Sequence, residues 1–238
     1  MNSSCRIASR RDQAKKIYAI LDDFSDRDFS NLICLDLGCG NGAILYALSH
    51  YFKYSIGIDI KHSILNEANQ IYKAPNSGFI LATGYGLPVQ SRSVDIVLCA
   101  QVYEHVTDQS TLAEEVWRVL RPGGICFFSG PNRLAIIEEH YWLPFLSWFP
   151  RPISNIYMRL FGRGAIYDAY PRYYWQIRKI WNRFVICDYS MKLLREPKRF
   201  TIESRMKKLP WISQLPEKIL KLLIIFLPNY NWILIKPS

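Results

Sequence analysis

The chain has 238 residues, half of them hydrophobic and 21% charged, which excludes a disordered or fibrous protein and allows one sizeable core. Basic residues exceed acidic ones by 30 to 20, and the excess is lopsided: residues 1–130 hold 12 Lys/Arg and 13 Asp/Glu, residues 131–238 hold 18 and 7 together with six of the seven tryptophans. A near-neutral half is thus followed by a basic, aromatic half, pointing to an anionic partner such as a phosphorylated substrate, an acidic membrane surface or nucleic acid.

Residues 1–16 are polar and basic, without the apolar stretch of a secretory signal. Apolar side chains at 14, 17, 18, 20 and 21 then predict a helix over residues 10–21. The run Leu32-Ile33-Cys34-Leu35-Asp36-Leu37, ended by glycines, reads as a strand buried on both faces of a parallel sheet. A helix over 43–50, a strand over 54–59, a helix over 63–72 and strands over 78–81 and 94–100 follow, then a helix over 111–120 and a strand over 125–129. Arg121-Pro122-Gly123-Gly124 reads as a turn between the last two, without chemistry of its own. Strands alternating with helices predict an α/β fold, a doubly wound and mostly parallel sheet whose helix-entry loops gather at one end.

After Pro131 the rhythm breaks. Residues 134–166 contain five aromatics between positions 141 and 149 and prolines at 144, 150 and 152, the pattern of an aromatic, basic insertion after the fifth strand. A helix near 172–181, a strand near 184–189, a basic connector over 192–208, an apolar helix over 216–227 and a strand over 230–235 complete a seven-stranded sheet. The organisation expected is an N-terminal helix with the first half of an α/β domain over 1–132, where the ligand-binding loops gather, and an insertion or lid with the closing elements of the same domain over 133–238. The longest apolar run, 219–227, includes Lys221 and has about half of the ~20 residues a membrane-spanning helix needs, so a cytoplasmic protein is expected, with peripheral contact at the inner membrane face as a further expectation. The six cysteines (5, 34, 39, 99, 126, 187) form no C-x-x-C pair and read as reduced thiols, and with only four scattered histidines no metal site is expected.

Leu35-Asp36-Leu37-Gly38-Cys39-Gly40-Asn41-Gly42 lies where the first strand turns into a helix, and its glycines let main-chain N–H groups approach a ligand. The glycines alone also fit a relaxed dinucleotide fingerprint, which would make the chain an NAD(P)-dependent reductase. Asp36 argues against it, because a carboxylate there repels a pyrophosphate and attracts a cationic amino acid or sulfonium.

With Asp59, Leu87-Pro88, Ser93-Val94-Asp95-Ile96-Val97, Val102-Tyr103-Glu104-His105-Val106 and Val119-Leu120-Arg121-Pro122-Gly123-Gly124, this segment resembles the class I S-adenosylmethionine-dependent methyltransferases, of the type 11 kind, over residues 32–132. The resemblance implies a Rossmann-like methyltransferase fold with S-adenosyl-L-methionine as cofactor. It places Asp36 near the methionine amino group, Gly38, Cys39 and Gly40 beneath it, Asp59 on the ribose hydroxyls and Ile60 against adenine. Thr83, beside Gly84, stands where such enzymes commonly carry a carboxylate on the adenine amino group, and Gln101 falls where they line the methyl pocket. A non-catalytic cofactor-binding partner protein is the other alternative.

Glu138-Glu139-His140-Tyr141 opens the insertion, where this fold usually sets acceptor selectivity. His140, with Glu139, is the candidate catalytic pair, because methylating a hydroxyl benefits from a base and imidazole has the most suitable pKa; Glu138 or Glu139 would orient the ring. A solvated acidic turn is the plain alternative, and His105 reads as a packing residue near the cofactor. Aromatics beside cations from residue 141 to 208 suit an anionic bilayer, and nucleic acid ranks lower because no RNA-binding module is recognisable. The acceptor expected is a small-molecule, glycan or lipid-linked compound, methylated at oxygen, and the second half also resembles the variable region of methyltransferases of bacterial envelope-glycan or lipid pathways.

Overall fold

The computed structural model describes residues 3–206 and 210–238, with side chains at 1–8, 205 and 207–210 left aside. The helix α1 (Ser3–Phe24) leads into β1 (Ile33–Leu37), α2 (Ala43–Ser49), β2 (Tyr54–Asp59), α3 (His62–Ile71), β3 (Ser77–Leu81), β4 (Val94–Ala100), α4 (Gln109–Val119) and β5 (Leu120–Pro131). Then come α5 (Arg151–Leu160), α6 (Tyr174–Ile180), β6 (Val185–Asp188), α7 (Ser190–Arg195), α8 (Glu203–Met206), α9 (Glu217–Leu223) and β7 (Asn229–Ile235). The seven strands form one sheet in the order β3-β2-β1-β4-β5-β7-β6, with β1 to β5 parallel and β7 antiparallel to both of its neighbours. The α/β architecture expected from the alternating pattern is thus the one observed.

Both faces of the sheet are covered, so the central strands are apolar over most of their length and the period of two shows in which core each side chain joins. Leu35, Leu37, Val97, Cys99, Cys126, Phe128, Trp232 and Leu234 pack on one face against Leu112, Val116 and Val119 of α4 and Ile177 of α6. Cys34, Ile96, Leu98, Ile125, Phe127 and Ile233 pack on the other against Ala14, Ile17, Ile20 and Leu21 of α1 and Ile44 and Leu48 of α2. Each such large side chain contributes about 1.5–3 kcal/mol on burial. The apolar spacing within residues 10–21 is therefore the face of α1 that covers the sheet. Cys34, Cys39, Cys99 and Cys126 are buried free thiols.

Two local expectations are corrected. Residues 121–124 do not separate a helix from a strand: Leu120 already pairs with Val94, the register slips before Ile96 pairs with Ile125, and Gly123 (φ 73°) and Gly124 exchange main-chain bonds with Lys236. The segment is a bulge inside β5, whose twist the glycine accommodates. The basic connector carries helices α7 and α8, because Leu193, Leu194 and Phe200 bury apolar surface there; Lys207 and Lys208 of that run lie outside the described residues.

After β5 the chain builds a third, smaller core from Leu143, Leu146, Met158, Tyr167 and Ala169. Part of the aromatic run is therefore structural, while Trp142, 69% exposed, faces outward.

Candidate active site

Parallel strands deliver their carboxyl ends to one edge, and the candidate residues collect there. Asp36, the fourth residue of β1, is buried at 5% exposure, and among the described residues its carboxylate receives no hydrogen bond. Burial pushes its pKa up to about 7; the positive charge of Arg10, on α1, acts the other way, and Asp59 adds to the rise. A carboxylate in that position stays charged at neutral pH most readily with a cation beside it. Arg10 was not singled out from the sequence, because nothing in the pattern of α1 marks which of its basic residues acts on Asp36.

The loop after β1 is shaped by three glycines in the left-handed region, Gly38 (φ 65°), Gly40 (φ 56°) and Gly42 (φ 79°). A Cβ on Gly38 would meet Val102 Cγ2 at 2.7 Å, so the close approach there requires glycine; one on Gly40 would meet no protein atom within 4 Å, so that face of the loop is open. Cys39 is buried, with its thiol pushed up by burial and by Asp36 and Asp59, as befits a small filler rather than a nucleophile.

Asp59 ends β2 with both carboxylate oxygens bonded to main chain: Oδ2 accepts Gly40 N–H at 2.9 Å and Oδ1 accepts Lys61 N–H at 2.9 Å. Each oxygen keeps a further lone pair for a ligand hydroxyl. Ile60 is 64% exposed beside it. The Thr83 hydroxyl donates to Tyr85 O at 2.8 Å, so it is available as an acceptor only, and a Cβ on Gly84 would press on Leu112 Cδ1 at 3.2 Å. Gln101, after β4, sits at φ 60°, a conformation non-glycine residues rarely adopt, held by its N–H on Ser129 O at 2.7 Å and by Nε2 on Asn229 Oδ1 at 3.0 Å.

The insertion closes over this edge and changes the assignment within the acidic pair. His140 Nδ1 lies 2.9 Å from Glu138 Oε1, whereas Glu139 is bound by Asn229 Nδ2. Glu138, not Glu139, therefore orients the ring; Glu139 reaches the imidazole only through its field. Glu138 is buried at 2% exposure and also accepts Tyr141 N–H at 2.7 Å, so this is no solvated turn.

Glu104 completes the group and was missed as a site residue. Its side chain is fully buried, both oxygens lack a hydrogen-bond partner, and Oε1 stands 3.7 Å from His140 Nε2 and 3.9 Å from His105 Nε2. Burial pushes the Glu104 carboxyl up to about 8. The Glu138 hydrogen bond raises His140 above the usual histidine value, while burial lowers His105. Glu104, His105 and His140 each bring one ligand atom within 4.8 Å of the others, an arrangement able to hold a divalent cation, which no spacing of Cys or His in the sequence signalled. His105 also feels the charge of Lys61, and Cys99 feels both Glu104 and Asp36, so the imidazole group and the glycine-loop carboxylates share one electrostatic neighbourhood.

Two wide clefts, about 560 and 910 Å³, open instead at the amino ends of the strands, around Asp95, Gly123, Ser238 and Arg92. Strand polarity favours the carboxyl end as the site, because there the helix N-termini and loop amides converge.

Residues 35–128 match the family described as a methyltransferase domain. A ubiquinone biosynthesis O-methyltransferase from Bartonella tribocorum is 28% identical over 193 residues, covering 73% of this chain and 76% of that protein. An uncharacterized methyltransferase from Mycolicibacterium gilvum is 34% identical over 113 residues, 48% of this chain and 41% of that protein. An S-adenosylmethionine-dependent methyltransferase from Mesorhizobium loti shares the fold, with a TM-score of 0.64, 16% identity and coverage of 92% and 97% of the two chains. The match over residues 35–128 and these relatives support a class I S-adenosylmethionine-dependent methyltransferase. Its residues fit that cofactor on their own terms: among the described residues the buried Asp36 carboxylate receives no hydrogen bond and can pair with a cation, and the loop beside it is open at Gly40.

Proposed function

We propose that this enzyme methylates an oxygen atom of a small, lipid-linked or saccharide acceptor held under the insertion, with His140 as general base. The observation that carries this reading is the 2.9 Å contact of Glu138 with His140 Nδ1. A carboxylate on Nδ1 fixes the proton there and leaves Nε2 as the basic atom, facing Glu104 at 3.7 Å. The names of relatives such as the Bartonella tribocorum enzyme support oxygen as the methylated atom.

In this reading Asp36 receives the ammonium group and Arg10 the carboxylate of the cofactor's amino acid end, Asp59 takes the ribose hydroxyls, Ile60 and Thr83 border adenine with Gly84, and Gln101 borders the methyl group. When bound, S-adenosylmethionine supplies a methyl group on a positively charged sulfur and departs as a neutral thioether. His140 Nε2 takes the acceptor's hydroxyl proton, and Glu138 stabilises the imidazolium that results. The lid excludes water and aligns the acceptor, which supplies most of the rate in a displacement with so good a leaving group. We keep the division at residue 132 between a cofactor half and a lid-bearing half of the same domain.

The lid also offers a face for an anionic bilayer. On α5, Ile153, Ile156 and Leu160 recur on one side at 50, 55 and 77% exposure, opposite buried Ser154 and Met158, with Arg159 and Arg163 beside them. No helix among the described residues is long and apolar enough to cross a membrane. The reading is tested by steady-state kinetics of His140→Gln: kcat falls while cofactor affinity holds, and an unchanged kcat rejects the base.

A further inference from the structure

Arg133, Arg151 and Arg172 converge on one cavity of about 90 Å³, walled also by Ser147, Tyr167 and Tyr170. Among the described residues no carboxylate lines it. Each guanidinium is oriented by neutral groups. Arg151 Nη2 donates to Tyr167 O at 2.7 Å and its guanidinium lies 3.7 Å from the Tyr170 ring centre; Arg172 Nε donates to Gln109 Oε1 at 2.8 Å; Arg133 stacks 5.0 Å from the Tyr173 ring centre. Among the described residues two donors on these wall residues, Arg133 Nε and the Tyr167 hydroxyl, are buried with no hydrogen-bond partner. Fixing three like charges around one small cavity and leaving buried donors unused is costly unless an anion compensates them.

The nearby acids do not fill that role: among the described residues Glu104 makes no ion pair with the three arginines, its only such contacts being to His105 and His140. Glu138 is engaged by His140 and Tyr141 N–H, and Asp168 by the Tyr141 hydroxyl at 2.7 Å. The cavity holds about three water volumes at ~30 Å³ each, room for a single tetrahedral oxyanion, and planar guanidiniums match the several oxygens of phosphate better than a lone carboxylate. Its wall is tied to the candidate base: Tyr170 N–H donates to Glu104 O at 2.7 Å, and the Tyr167 ring centre is 5.8 Å from that of Tyr141, the neighbour of His140.

We infer that this cavity is a subsite for a phosphate group carried by the methyl acceptor, an assignment that rests on the proposed lid-bound acceptor and narrows its chemical class. The phosphate anchors the acceptor in the arginine cavity and leaves its hydroxyl at His140. The basic balance of the second half draws such an anion in.

Titration calorimetry on the full chain saturated with S-adenosylmethionine tests this, using inorganic phosphate, glucose 1-phosphate and octyl phosphate at an ionic strength held constant with chloride. Saturable phosphate binding is expected, weakened about tenfold or more by Arg133→Gln and by Arg172→Gln and unchanged by Lys53→Gln, on the exposed turn before β2. Arg133→Lys keeps charge and bulk but loses the fork, so it also weakens binding and serves if the glutamine variants do not fold. Tighter binding of octyl phosphate identifies a lipid headgroup, tighter binding of glucose 1-phosphate a sugar phosphate. No saturable binding above the chloride control, or equal losses in Arg133→Gln and Lys53→Gln, overturns the subsite. Phosphate binding that persists while His140→Gln keeps full kcat would reject the base and leave the subsite standing.

Discussion

Asp59 Oδ2 accepts the main-chain N–H of Gly40 at 2.9 Å, so the carboxylate that ends β2 is also the brace of the glycine loop after β1. Asp59→Ala therefore removes the acceptor that holds the loop in shape together with the proposed ligand for the ribose of the cofactor. A charge-assisted bond of this kind contributes about 1.5–3 kcal/mol, so S-adenosylmethionine affinity measured by calorimetry should fall tenfold or more. Asp59→Asn, which still offers one oxygen, should lose less.

The loop glycines make a paired prediction. Gly38→Ala meets Val102 at 2.7 Å and adopts a φ of 65°, and should destabilise the fold by about 1–3 kcal/mol in urea titration. Gly40→Ala meets nothing within 4 Å and bears only the left-handed strain, about 1 kcal/mol, so it should leave stability nearly intact while weakening cofactor binding.

Asp36 sets a pH dependence of stability in the cofactor-free protein. Its native pKa, about 7, exceeds the unfolded value, so between about pH 4 and 7 the native state binds more protons than the unfolded chain and stability falls as pH rises. Asp36→Asn should remove its share of that fall, Glu104 keeping its own because burial also pushes it up to about 8, and should be the more stable protein at pH 8, by up to about 4 kcal/mol, while binding S-adenosylmethionine more weakly. Urea titrations at pH 5 and 8 check the sign.

The strands and loops of residues 32–132 were readable in advance because their signals are local. Asp36, the glycines and Asp59 lie at strand ends whose positions follow from short apolar runs, and the turn chemistry of the loop is written in neighbouring residues. The choice between Glu138 and Glu139 was not readable, since it depends on which carboxylate faces Asn229 of the last strand, 90 residues away. Glu104 stood in a quoted motif, yet its importance comes from burial under Tyr170 and His140, which arrive from the insertion. The bulge at Gly123 escaped notice because its partner, Lys236, comes from the far end of the chain.

The pH profile of turnover reports the imidazole cluster. Glu138 raises His140, so kcat should climb with pH through a midpoint above the ordinary histidine value of about 6.5. Glu104→Gln removes a carboxyl that favours the imidazolium and should move the midpoint to lower pH. A profile flat across this range would mean catalysis by alignment alone.

Sedimentation with vesicles tests the lid face. Binding to acidic vesicles at low salt, lost as ionic strength rises and reduced by Ile156→Glu or Leu160→Glu, is the expected result. Equal recovery with neutral and acidic vesicles would return the face to an ordinary surface.

Product identification tests the central claim most directly. The enzyme is incubated with methyl-labelled S-adenosylmethionine and separated lipid, glycan and RNA fractions, and the labelled compound is characterised. The account predicts label as a methyl ether on a phosphate-bearing lipid or glycan, with a rate lowered roughly 10²–10⁴-fold in His140→Gln. Label on RNA, on nitrogen, or on an acceptor turned over equally well by His140→Gln would contradict it.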